Sequence, residues 1–166
     1  MTEFNDLNLF LAALAGPAHP DQCYREIRYR VPNGMRQKFL PIAETEEAAR
    51  LIRKLGTTTD VFAGVAPRTR QAGTADAVAF SCALWADLDD LAALQAAESF
   101  PYPFSMLIRS GTGHHAYWVL DSPNDPKVAV RANRRLAHHL GADMNCVDAA
   151  RIMRPPGTFN HKGSNP

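Results

Sequence analysis

At 166 residues, with 46% hydrophobic and 21% charged residues, the chain can bury one core without disulfides or a structural metal. A net charge of +1 argues by itself for no polyanionic partner, and no apolar run is long enough to span a bilayer. Glu3 and Asp6 stand where the basic n-region of a signal peptide would be, so a cytoplasmic protein with no membrane partner is expected.

Residues 5–15 form an amphipathic helix that stops at Gly16 and Pro17. The run from Cys23 to Val31 alternates polar and apolar residues, turns at Pro32-Asn33-Gly34 and returns through Met35 to Ile42, the pattern of a hairpin. Thr45, followed by Glu46 and Glu47, opens a helix to Leu55 that Gly56 closes. Residues 60–66 read as a strand ending in Pro67-Arg68-Thr69-Arg70, and residues 77–89 as a long strand. A helix follows, with Asp89 or Asp90 as its cap, and Pro101 and Pro103 end it. Two strands then flank Ser110-Gly111-Thr112-Gly113, residues 126–140 form a helix, and Pro155-Pro156-Gly157 forces a turn in the tail. The fold class is α+β, a mixed or antiparallel sheet flanked by helices. One domain spans residues 1–166, with a helical and hairpin portion, 1–58, packed on a core, 59–166.

Charge is unevenly distributed. From Lys127 onward there are seven basic residues against two acids, Asp143 and Asp148, and a second basic stretch holds Arg25, Arg28, Arg30, Arg36 and Lys38. Such polarity can orient a nucleic acid or a triphosphate, and it is equally compatible with solvated faces. The three cysteines, Cys23, Cys82 and Cys146, show no zinc-like spacing and are expected as reduced thiols partly buried in the core.

Three segments carry chemistry. On the strand 82–89, side chains alternate, so Trp85, Asp87 and Asp89 share one face while Leu84, Ala86 and Leu88 pack against helices. Two carboxylates so close repel unless a divalent cation bridges them, and hard oxygen ligands select Mg²⁺ or Mn²⁺. A solvated strand end leading into a capped helix explains the same pattern. Ser110, Gly111 and Gly113 form a turn that offers backbone N–H groups to phosphates, and the strand after it places His115 and Tyr117 on the face opposite His114. A glycine hairpin with ordinary strand histidines is the alternative. In the tail, Asp148 precedes Arg151, Arg154, Asn160 and Lys162, whose guanidinium forks and ammonium suit a triphosphate; a surface loop with scattered charges is the other reading.

These segments resemble the archaeo-eukaryotic primase superfamily, in particular the bacterial, plasmid and phage primase–polymerases of the replication-protein type. Leu84-Trp-Ala-Asp87-Leu-Asp89 is similar to its D-x-D motif, and the run Ser110 to Trp118 to its second, Ser-x-His-type motif. Asp148 through Lys162 is similar to its third, and Gly64-Val-Ala-Pro-Arg68 to an upstream Gly-Val-x-Pro-Arg stretch. The resemblance implies an RRM-like catalytic core and template-directed nucleotidyl transfer to a 3′-hydroxyl in primer synthesis. It implies two Mg²⁺ or Mn²⁺ ions on Asp87, Asp89 and Asp148, with no organic cofactor. Ser110, Gly111, Gly113, His115, Arg151, Arg154, Asn160 and Lys162 would hold the nucleotide, and Arg68 and Arg70 would contact DNA or substrate. The partners implied are a single-stranded DNA template and primer, a dNTP or NTP, and a C-terminal or separate helicase. Such proteins continue past the equivalent of Pro166 with a strand and a helical priming domain, so this chain is expected to be the N-terminal part of a longer protein. Two rivals are a primase-like module that binds nucleotide or single strands without catalysis, and a rolling-circle nickase. The nickase fits poorly, because adjacent His114 and His115 cannot share a strand face.

Overall fold

The computed structural model describes residues 3–16 and 22–162. Helix α1, Glu3–Ala15, ends where Gly16 donates to the Ala12 carbonyl at 3.1 Å; Pro17, the second half of the expected stop, lies outside the described residues. Strands β1, Tyr24–Val31, and β2, Gly34–Pro41, form the expected hairpin, paired from Tyr24 with Pro41 to Val31 with Gly34. Helix α2, Thr45–Gly56, buries Ala48, Ala49 and Ile52, with acids in its first turn and Arg53 and Lys54 in its last, as the helix dipole favours. Glu44 occupies its cap position without a side-chain hydrogen bond.

Strand β3, Val61–Gly64, is shorter than the expected 60–66, because the chain bends after Gly64 and Arg68 instead bridges Tyr24 and Val78. Strand β4, Ser81–Leu88, is likewise shorter than expected at both ends, and helix α3, Leu91–Glu98, begins under Asp90, whose carboxylate accepts from the Ala93 N–H. Strands β5, Met106–Arg109, and β6, His114–Asn124, flank the glycine turn. Helix α4, Pro126–Leu140, is capped by Asp125 and terminated by Gly141 at φ 67°, and the short strand β7 is Ile152–Met153.

The strands form two sheets, in the orders β2-β1-β3-β7 and β4-β6-β5, with every pairing antiparallel. The hairpin of the first 58 residues is hydrogen-bonded to β3, so the boundary expected at 58/59 runs through the first sheet. One core gathers Leu7, Phe10, Leu11 and Leu14 of α1, Ile52 of α2, Ile27, Val61 and Met153 of the first sheet, and Trp85 and Tyr117 of the second. Phe10 meets Tyr117 edge-on at 5.5 Å. A second core lies on the other face of β4-β6, where Ala86, Leu88, Ala116 and Trp118 pack against Ala93 and Ala97 of α3 and Leu136, Ala137 and Leu140 of α4. The alternation expected for β4 and β6 is therefore the division between the two cores. No helix among the described residues is long and apolar enough to cross a membrane.

Candidate active site

The site is built on the open edge of β4. β6 pairs with one side of this strand, and the other side presents backbone groups that need partners. Asn133 of α4, fully buried, accepts the Trp85 N–H at 3.0 Å. Past α4, Gly141 turns the chain back, and the Asp143 N–H donates to the Asp87 carbonyl at 3.0 Å. The short 3-10 turn Met144–Cys146 follows, fixed by the Trp85 indole N–H donating to the Cys146 carbonyl at 2.7 Å. Trp85 thus lies beneath the site, 1% exposed, as its packing face implies.

This docking sets Asp87, Asp143 and Cys146 side by side, with one ligand atom from each within 4.8 Å of the others. Burial pushes the Asp87 carboxyl above its ordinary range, a hydrogen bond from Cys146 opposes this, and the charges of Asp89 and Asp143 push it up further. Asp143 is held low instead, first by the backbone N–H of Asn145. Oxygen donors crowded in this way fit a hard divalent cation, which would relieve the repulsion.

The third carboxylate beside Asp87 is therefore Asp143, where the sequence suggests Asp148. Asp148 is 51% exposed at its side chain, pairs with Arg151 at 2.5 Å, and lines a groove of about 940 Å³ with Lys127, Arg131 and Arg134. A second groove, about 730 Å³ and mostly apolar, lies between Phe100, Trp118 and Leu136; neither includes Asp87 or Asp143. The clue to Asp143 is its spacing: it follows the Gly141 helix stop by two residues, the first acid able to reach the strand edge. Asp89 stands past the end of β4, exposed, on the side where its charge acts on Asp87.

His115 lies opposite Asp87 in the β4–β6 register, its Nε2 3.6 Å from Asp87 Oδ1. Burial lowers its pKa to about 4, so the ring is neutral at neutral pH. His114 sits across from Leu88, on the face opposite His115, so the two histidines do not form a paired metal site. At the 110–113 turn, the Ser110 N–H donates to the Gly113 carbonyl at 3.0 Å. A Cβ at Gly113 would come within 2.7 Å of the Leu88 carbonyl, so only glycine lets this turn close over the end of β4 beside Asp89. Asn160 Nδ2 donates to the Ser110 carbonyl at 3.2 Å and packs against Gly111, joining the tail to the turn.

The arginines divide into two groups. Arg151 pairs with Asp148, donates to the Asn145 carbonyl, and its charge acts on Asp87, Asp143 and Cys146. Lys162 is exposed beside Asn160, whose Oδ1 accepts its N–H at 3.1 Å. Arg154, by contrast, is 4% exposed and committed to Asp60 at 2.8 Å and to the Phe159 carbonyl, so it does not offer its fork to a phosphate. Arg68 is fully buried, donating to both Glu26 and the carbonyls of Ala66 and Ala150, which removes it as a substrate contact. The reason is common to both: each is paired with a buried carboxylate from a segment distant in sequence. Arg70 is half exposed and paired with Asp76.

A family model for the RepB DNA-primase N-terminal domain matches residues 41–166. The chain belongs to that family. It is thereby a member of the archaeo-eukaryotic primase superfamily, and its fold is that of the primase–polymerase core. The catalytic domain of the primase RepB′, solved in complex with initiator DNA, superposes with a TM-score of 0.73 at 15% identity, covering 100% of this chain and 82% of that one. The archaeo-eukaryotic primase domain of the cyanophage S-2L primase–polymerase gives 0.71 at 18% identity, covering 95% and 84%. The polymerase domain of Mycobacterium tuberculosis Ligase D, in complex with DNA, gives 0.56 at 15%, covering 96% and 77%. A comparison with curated proteins returned no match. The family is one of DNA-primase domains.

Proposed function

We propose that this domain catalyses template-directed, metal-dependent addition of nucleotides to a primer 3′-hydroxyl, as the catalytic unit of a DNA primase–polymerase. The observation that carries the reading is the crowding of Asp87 by Asp89 and Asp143, with its carboxyl pushed up and a neutral histidine opposite. Asp87 and Asp143 would hold Mg²⁺ or Mn²⁺, with Asp89 at the rim. When bound, the cation supplies activation of the 3′-hydroxyl and neutralisation of the triphosphate. Asp148 acts through Arg151, which it holds toward the cluster.

The remaining work falls to orientation. His115, with the 110–113 turn and Asn160 behind it, forms a rigid wall on which phosphate oxygens can be held. Arg151 and Lys162 add positive charge beside that wall. Arg154 and Arg68 position it: Arg154 ties the tail to Asp60, and Arg68 ties the loop before Arg151 to Glu26. Template phosphates would run along the groove of Lys127, Arg131 and Arg134, without sequence readout. A helicase, on the same chain or separate, would supply the single-stranded template.

Primer extension on a single-stranded DNA template with Mn²⁺ and labelled dNTP or NTP tests the reading. Extension by the wild type and none by Asp87→Ala/Asp89→Ala is the expected result. Template and nucleotide binding without extension would indicate a silent binding module. Strand cleavage with covalent attachment to a tyrosine would indicate a nickase.

A further inference from the structure

Cys146 is the one cysteine of the three that is not fully buried, and it stands among the carboxylates. Its Sγ lies 3.4 Å from Asp87 Oδ2 and 3.2 Å from Asp143 Oδ2. A thiol carries a single proton, so it can donate to only one of these oxygens at a time. The other contact is then acceptor against acceptor. A cation in place of the proton would satisfy all three atoms together.

Two further features point the same way. The position of Cys146 is fixed by its backbone: its N–H donates to the Asp143 carbonyl at 3.2 Å, and its carbonyl accepts the Trp85 indole at 2.7 Å. On the other side of Asp87, the His115 side chain is only 9% exposed and its Nε2 stops 3.6 Å short of Asp87 Oδ1, so the ring does not satisfy that oxygen. Sulfur and carboxylate together suit Zn²⁺ and Co²⁺; Mg²⁺ takes oxygen ligands and has no use for the sulfur.

We propose that Cys146 Sγ is a metal ligand, making the Asp87–Asp143 centre a mixed sulfur–oxygen site that binds thiophilic divalent ions, Zn²⁺ foremost, in preference to Mg²⁺. On binding, the metal–sulfur bond forms as the Sγ–H proton leaves to solvent, with no change of oxidation state. The inference rests on the reading of the carboxylate cluster as a metal site. Zn²⁺ would then occupy the centre without the octahedral, oxygen-only geometry that nucleotidyl transfer draws on, and compete with the catalytic ion.

Titration of the intact chain with Co²⁺, followed by absorption, tests this. A sulfur-to-cobalt charge-transfer band in the near ultraviolet should accompany the visible ligand-field bands, and Zn²⁺ should bleach both at concentrations at least about a hundredfold below those of Mg²⁺ needed to do so. Cys146→Ser, shown folded by near-ultraviolet circular dichroism, should lose the charge-transfer band and bind Zn²⁺ at least about tenfold more weakly. Cys146→Ala provides the same comparison without a hydroxyl ligand. Ligand-field bands without charge transfer in the wild type would overturn the role of Cys146 and leave the carboxylate site standing. A charge-transfer band that persists in both variants would assign it to another cysteine and overturn the proposal. Failure of Co²⁺ to bind at all would overturn both readings.

Discussion

Asp60, just before β3 of the first sheet, and Asp87, near the end of β4 of the second, are the same side chain in opposite surroundings. Asp60 is 1% exposed and accepts from Arg154 at 2.8 Å, from the His161 N–H at 3.0 Å and from Arg30 at 3.3 Å. Burial alone would raise its pKa, but the hydrogen bonds from Arg154 and His161, together with the Arg154 charge, hold it below the ordinary range. The Asp87 carboxyl is pushed up instead, first by burial and then by the charges of Asp89 and Asp143, and the Cys146 hydrogen bond offsets only part of this. A carboxylate that the fold has already neutralised belongs to the scaffold. One that the fold leaves in repulsion is prepared for a cation the chain does not itself supply.

The comparison breaks most visibly at Asp87. Asp87→Asn is expected to reduce primer extension by about 10³-fold or more, the loss typical of removing a key electrostatic group, while the thermal midpoint holds or rises as repulsion is relieved. A fall in the midpoint together with full activity would reverse the assignment. Asp60→Asn should do the opposite, costing about 3–5 kcal/mol of stability in a denaturant titration, because Arg154 is left buried without its counter-charge. Asn133→Ala should cost about 1–3 kcal/mol, since the Trp85 N–H on the open edge of β4 loses its acceptor in a buried setting.

The smallest effect is a pH dependence. Because Asp60 has a lower pKa folded than its unfolded value of about 3.9, its contribution is complete above that value and lost as pH falls through the folded pKa. The stability difference between wild type and Asp60→Asn should therefore shrink in acid denaturation below about pH 4. A difference that stays constant through that range would mean Asp60 is not ion-paired.

Much of this was legible in the sequence, and the exceptions share a cause. Alternation along β4 and β6 separates the face of Asp87, His115 and Tyr117 from that of Leu88, Ala116 and Trp118, since strand periodicity is local. Helix α4 follows from Pro126 and Gly141 for the same reason. The partner of Asp87 is not local: Asp143 reaches it only because β4 is an edge strand, which depends on the sheet order β4-β6-β5. Arg68 and Arg154 look like substrate contacts in sequence because they lie within the motif-like segments that carry the resemblance. What commits them to Glu26 and Asp60 are contacts 42 and 94 residues away.

The central claim is that Asp143, and not Asp148, completes the metal centre with Asp87. Mn²⁺ binding followed by electron paramagnetic resonance, on wild type, Asp143→Ala and Asp148→Ala side by side, tests it most directly. Mn²⁺ binding should be lost in Asp143→Ala and kept within a few-fold of wild type in Asp148→Ala. Retention in Asp143→Ala with loss in Asp148→Ala would contradict it.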